Sequence, residues 1–263
     1  MKRLRQMAWL GTSVLCSLLL VGCASNPAAT SGQELATASD QTANQHRASI
    51  RLQLAVGYYR QGQMKVALDE AKRAIEADPG SADAYSMAAL IYMQLGETSL
   101  AESHFQRAIQ LAPSDPDLRN NYGWFLCQNG RAKESMPYFE AAIHDKTYQS
   151  PAKALNNAGK CTDDKAASER YYTKAFQYEP GNIDTNIALA RINYERGAND
   201  RARFYINRVA NADVLTAEVL WLAIKIERRA GDRGAELSFV TQLARRYPDS
   251  AEYAAYQRGA FNE

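Results

Sequence analysis

Residues 82–115 read ADAYSMAALIYMQLGETSLAESHFQRAIQLAPSD, and this stretch decides the fold. Small residues Ala88, Ala89, Ala101 and Ala108 alternate with Tyr85, Tyr92 and Phe105, while Gly96 divides the stretch and Pro113 closes it. Small side chains let two helices approach closely and aromatics fill the space between hairpins. Glycine and proline end helices where the chain must turn. The pattern recurs along the chain. Pro79 and Pro113 are 34 residues apart, Pro180 lies 67 beyond Pro113, and Pro248 lies 68 beyond Pro180. Gly62, Gly96, Gly130, Gly197 and Gly231 keep the same rhythm at 34, 34, 67 and 34. A fixed period of this length signals an array of helical hairpins.

The offsets within the period resemble the tetratricopeptide repeat (TPR). Residues 48–81 give Leu54, Ala55, Tyr58, Gly62, Ala67, Ala71, Ala74 and Pro79; residues 116–148 give Tyr122, Gly123, Gly130, Phe139 and Ala142. The copy over 149–182 keeps Asn156, Gly159, Tyr172, Ala175 and Pro180, but Gly159-Lys160-Cys161-Thr162-Asp163-Asp164 shortens or loosens its first helix. Residues 183–216 keep Leu189, Ala190, Gly197, Ala202 and Ile206, and 217–250 keep Ile224, Gly231, Val240 and Pro248. Tyr253 to Phe261 then reads as a helix covering the apolar face that a solenoid leaves open at its end. The expected fold is all-α: a TPR solenoid of about six hairpins with a C-terminal capping helix, over residues 48–263.

Upstream the composition changes. Lys2, Arg3 and Arg5 precede an apolar run from Met7 to Val21, which is too short to cross a ~30 Å bilayer core comfortably. Residues 1–22 read as a signal peptide, and Leu20-Val21-Gly22-Cys23 resembles the lipobox of bacterial lipoproteins. That resemblance implies lipidation of Cys23. Small, neutral Ala24 and Ser25 imply handling by the lipoprotein sorting machinery toward the outer membrane, on its periplasmic face. Residues 23–47, rich in Ala, Ser, Thr, Gln and Asn, read as a flexible tether with a reach of ~25 Å. Removing 1–22 takes three of the 31 basic residues and leaves a near-neutral chain with 29 acidic ones, so no nucleic-acid partner is expected.

In a TPR array the first helix of each hairpin lines a concave groove. On those positions repeats one to three place Leu52, Val56, Tyr59, Leu90, Met93 and Trp124, an apolar trough for an amphipathic helix or extended peptide. Repeats four to six place Lys153, Lys160, Arg191, Tyr194, Trp221, Lys225, Arg228 and Arg229, a basic continuation. Lys153 and Asn157 resemble part of a carboxylate clamp, but Ala188, Glu218 and Leu222 at the remaining clamp positions do not match. Cys127 and Cys161 are an even pair on successive first helices in an exported chain and are expected to form a disulfide, the alternative being two buried thiols. Only three histidines occur, His46, His104 and His144, and no HExxH, GxSxG or phosphate-loop pattern appears. The reading is of a non-enzyme with no metal and no cofactor.

Three further blocks sharpen the resemblance. Asn120-Asn121-Tyr122-Gly123-Trp124-Phe125-Leu126-Cys127, Leu155-Asn156-Asn157-Ala158-Gly159 and Arg245-Arg246-Tyr247-Pro248-Asp249-Ser250-Ala251-Glu252-Tyr253 are similar to segments of the PilF/PilW family of type IV pilus biogenesis lipoproteins. The resemblance implies a pilotin-like protein that binds subunits of the type IV pilus secretin, the outer-membrane ring protein. It would promote their outer-membrane targeting, multimerisation or pilus stability. The alternative is a TPR lipoprotein that scaffolds β-barrel assembly or regulates a cell-wall synthase.

Overall fold

The structure, a computed structural model, describes residues 41–210 and 215–261. The expected signal peptide, Cys23 and the tether up to residue 40 lie outside the described residues. Those described form thirteen α-helices and no strand. Six hairpins follow one another: α1 (Ala43–Arg60) with α2 (Met64–Ala77), α3 (Ala82–Gln94) with α4 (Thr98–Leu111), and α5 (Pro116–Gln128) with α6 (Ala132–Ile143). Then come α7 (Pro151–Cys161) with α8 (Lys165–Tyr178), α9 (Ile183–Glu195) with α10 (Asn199–Asn207), α11 (Ala217–Ala230) with α12 (Arg233–Arg246), and a last helix α13 (Ala251–Arg258).

The array starts earlier than the expected residue 48. Thr42 accepts a hydrogen bond from the Gln45 amide at 3.2 Å, and the Gln45 side chain accepts from the Thr42 amide at 2.9 Å. This reciprocal box satisfies two orphan donors and nucleates α1 at Ala43, inside the segment expected to be tether.

Within a regular hairpin the turn is a backbone device. Gly62, Gly96, Gly130, Gly197 and Gly231 all take φ between +74° and +79°, where a side chain would be strained. The following amide then reaches back into the first helix, as Glu97 N–H does to the Tyr92 carbonyl at 2.9 Å. Starts of paired helices are 16 residues apart in repeats two, three, five and six (Ala82 and Thr98, for example). In repeat four they are 14 apart, Pro151 and Lys165, and no left-handed glycine is present in the turn. Thr162 is extended there, and the Asp164 carboxylate caps α8 by accepting from the amides of Ala166 and Ala167 at 2.8 and 3.2 Å.

Close helix approach is what the small residues make possible. A Cβ on Gly123 would stand 2.9 Å from the Phe139 ring, and one on Gly159 would stand 3.0 Å from Tyr172. Ala74, Ala108, Ala142 and Ala175, one in each of the first four repeats, are fully buried. Depth depends on having neighbours on both sides. Leu189 in repeat five is 1 % exposed, whereas Leu54 at the same position of repeat one is 40 % exposed, because no described repeat precedes it.

The apolar core falls into two large clusters. One joins repeats one to three around Phe105, Phe125 and Leu126, and the other joins repeats five and six around Ile206, Leu220 and Ile224. Between them lies a small cluster of Phe139, Ala158 and Cys161. Tyr253, Ala255 and Tyr256 pack half-buried against the second large cluster. The helix α13 stops at Gly259, φ +72°, short of the expected Phe261. Phe261 turns back instead and stacks on Trp221, ring centroids 5.2 Å apart.

Candidate functional site

Successive first helices run close together, α1 with α3, α3 with α5, α5 with α7 and α9 with α11, while the backbones of successive second helices stand farther apart, α8 and α10 meeting through the rings of Phe176, Phe204 and Tyr205. An array tighter on one side curves toward that side, so the first helices line the concave face. The α7–α9 step is the exception and makes little such contact. A hydrogen bond from the Thr185 hydroxyl to the Asn156 side-chain oxygen, 2.7 Å, spans it.

In the N-terminal half, Leu52, Val56 and Tyr59 on α1 and Leu90 and Met93 on α3 are half-buried and rest against the first large cluster. Trp124 on α5 is also half-buried, but it belongs to the small cluster beside Cys127 and Cys161. The six expected groove residues thus occupy three adjacent first helices, with five over one core and Trp124 at the boundary. Each presents a rooted base and a free face, the arrangement of preorganised anchors.

The joint to the C-terminal half is covalent. Cys127 on α5 and Cys161 on α7 are bonded, Sγ–Sγ 2.02 Å and Cα–Cα 5.8 Å. Next to them the Lys160 ammonium lies 5.2 Å from the centre of the Trp124 ring. Polar side chains add a second stitch between the same helices. Asn157 donates to Asn120 at 2.9 Å, and Lys153 donates to Asn121 at 3.2 Å. The clamp-like Lys153 and Asn157 are therefore turned onto α5. The sequence carried a signal for this ladder, two Asn-Asn pairs at 120–121 and 156–157, that was not read as a contact.

Beyond the joint the concave surface changes character. Arg191 and Tyr194 on α9 face Lys225 and Arg229 on α11. The Arg229 guanidinium sits 4.0 Å from the Tyr194 ring centre and donates to the Tyr194 carbonyl at 3.0 Å. The Lys225 ammonium lies 5.8 Å from the Tyr194 ring and 5.5 Å from Trp221. Arg228 turns away, over the Phe261 ring at 3.8 Å and onto Glu236 at 2.9 Å.

Outside the concave face, a cavity of about 440 Å³ opens between the start of α8 and the end of α9. Its charges compensate one another, Arg196 with Glu169 at 2.7 Å and Lys165 with Glu195 at 4.0 Å. Among the described residues no group of three or more His, Cys, Asp or Glu is placed to hold a metal ion.

Two tetratricopeptide-repeat family profiles match, one at residues 52–116 and 86–151 and the other at 164–222. The type IV pilus assembly protein PilF of Pseudomonas aeruginosa PAO1 is 27 % identical over 246 residues, spanning 92 % of this chain and 95 % of that protein. Among solved structures, PilW, a widely conserved type IV pilus biogenesis factor, is 30 % identical with a TM-score of 0.71, covering 80 % of this chain and 98 % of that one. Pseudomonas aeruginosa PilF superposes with a TM-score of 0.77 at 26 % identity, over 83 % of this chain and 100 % of that one.

Proposed function

The chain belongs to the PilF/PilW family of tetratricopeptide-repeat proteins, and from that premise we propose that it serves type IV pilus biogenesis by binding rather than by catalysis. Its client on this reading is the pilus secretin, held in the apolar trough of α1, α3 and α5. Lipid on Cys23 would anchor the complex at the outer membrane, so that a captured subunit is delivered where rings assemble.

The observation that carries the reading is the set of rooted, half-buried apolar side chains on three successive first helices. An isolated exposed leucine means little, but a contiguous apolar surface on a preformed groove binds at small entropic cost. Affinity in such grooves concentrates in a few aromatic and long apolar anchors, here Tyr59, Met93 and Trp124.

The test is capture of secretin subunits by the purified protein. Met93→Ala with Trp124→Ala is expected to weaken capture by about 30-fold, the effect of losing two anchors, while helical content by circular dichroism stays unchanged. Undiminished capture by that variant would remove the trough from the mechanism. In cells, Cys23→Ser is expected to leave secretin multimers away from the outer-membrane fraction. Normal multimers there would exclude the carrier step. Crosslinking from Trp124 to a β-barrel assembly factor or a cell-wall synthase, with none to secretin, would replace the client.

A further inference from the structure

We infer that Arg191, Lys225 and Arg229 form a carboxylate-binding subsite that holds an acidic peptide segment across the concave face of the last two repeats. The inference rests on the reading that this face binds a protein partner, but it concerns residues that the apolar trough does not use.

Like charges repel, so three cations on facing helices need a reason to stay together. Arg191 has one carboxylate, Glu218, at 2.8 Å. Among the described residues Lys225 and Arg229 form no ion pair, so the cluster carries an excess of positive charge. Burial, together with the guanidiniums of Arg191 and Arg229, holds the Lys225 ammonium below the ordinary lysine range. Cation–ring contacts with Tyr194 and Trp221 offset part of this cost but add no negative charge. A carboxylate from outside would neutralise the excess, offset the repulsion that Arg191 and Arg229 exert on Lys225 and meet a guanidinium that can bind it in bidentate fashion.

A peptide fits these groups better than other anions do. The cations are spread over α9 and α11 with aromatic faces between them, a match for carboxylates carried on apolar stems. Lys225 is half-buried between the exposed Arg191 and Arg229 on the concave side, so a flat bilayer surface would meet the two guanidiniums but not the ammonium, whereas a narrow peptide can reach all three. It lies on the same first-helix side as the apolar trough, across the α7–α9 step that the Thr185–Asn156 hydrogen bond spans, so one extended segment could place apolar residues at one end and acidic ones at the other.

Fluorescence anisotropy on the full-length chain tests this, with a labelled glutamate-containing peptide and its glutamine counterpart. The glutamate peptide is expected to bind about tenfold more tightly, with the preference falling as salt rises. Lys225→Gln with Arg229→Gln should erase the preference, Lys225→Arg should keep it, and the melting temperature should barely move. Trp124→Ala should leave the preference intact, which separates this subsite from the trough. Equal binding of the two peptides overturns the proposal. So does inorganic phosphate that competes as well as the peptide, or attachment to anionic vesicles that requires the same cations.

Discussion

Repeats one to three and repeats five and six solve the same packing problem with different materials. The N-terminal half closes its hairpins on alanine, with Ala67, Ala71, Ala74, Ala101 and Ala108 all fully buried, and fills the interstices with Phe105, Tyr122 and Phe125. The N-terminal half buries one carboxylate, Glu70, under Arg51 and Arg73, whereas the C-terminal half puts Glu236 at the position of Ala67 and Ala101 and Glu227 at that of Tyr58 and Tyr92. Glu227 and Glu236 are buried, the first held by Arg203 at 2.7 Å, the second by Arg228 and Arg233 at 2.9 and 3.2 Å. The concave faces differ likewise, apolar before the joint and cationic–aromatic after it. One repeat geometry can therefore carry two binding chemistries, because the groove positions are free once the small and aromatic packing positions are satisfied. Repeat four lies between the halves, and its short hairpin is where the core thins.

If the halves are separate cooperative units, the bond that ties repeat three to the thin repeat four should have the largest effect. Cross-linking a loop of this length stabilises a fold by about 3–4 kcal/mol in the chain-entropy account. Replacing Cys127 and Cys161 by Ser is expected to lower unfolding free energy by about that amount. Amide exchange should rise first in α7 and α8, whose contacts to the large cores are fewest. Exchange that rises evenly from α1 to α13 would show that the array unfolds as one unit and that the division is only compositional.

A second substitution attacks the C-terminal half alone. Arg203→Ala leaves the fully buried Glu227 without its guanidinium, and such a loss costs about 3 kcal/mol. Adding Glu227→Gln removes the stranded charge and should recover part of the loss, so the pair is non-additive. Urea denaturation followed through Trp221 reads the effect locally. A cost below about 1 kcal/mol would mean that water reaches Glu227 and that the ionic core is softer than its burial implies.

The regular repeats were legible because their signals are local and redundant. Left-handed glycines, prolines and buried alanines each mark the same phase, so no single departure hides the 34-residue period. Repeat four was harder to read. Its hairpin is two residues short, Pro151 to Lys165, while α7 starts one residue late, at 19 residues after Ala132 rather than the usual 18. The two changes nearly cancel in the proline spacing. Gly159 and Tyr172 still mark the phase in sequence, and they meet as Gly123 meets Phe139, but spacing alone does not show which side of the turn was shortened. The start of α1 was missed for a different reason. The polar composition of residues 23–47 masked Thr42 and Gln45, two residues whose value comes from facing each other across a helix turn. Which residues of the first helices lie half-buried over the core was readable from helical phase. The Asn120–Asn157 ladder was not, since it depends on which side chains of two helices meet.

The smallest effect separates the two ways of turning a hairpin. Gly130 ends α5 at φ +75°, and Gly130→Ala should cost about 1 kcal/mol, the strain of a Cβ in the left-handed region. Repeat four does without that glycine and relies on the Asp164 carboxylate, whose two amide bonds make Asp164→Ala worth about 1 kcal/mol as well. The two costs should be independent, because the substitutions lie in different hairpins, and the double variant should lose about their sum in thermal denaturation. Were the Asp164→Ala deficit absent, the short hairpin would be held by the Ser168 hydroxyl on the Gly159 carbonyl, 2.6 Å, and by the packing of Tyr172 on Gly159, rather than by its cap.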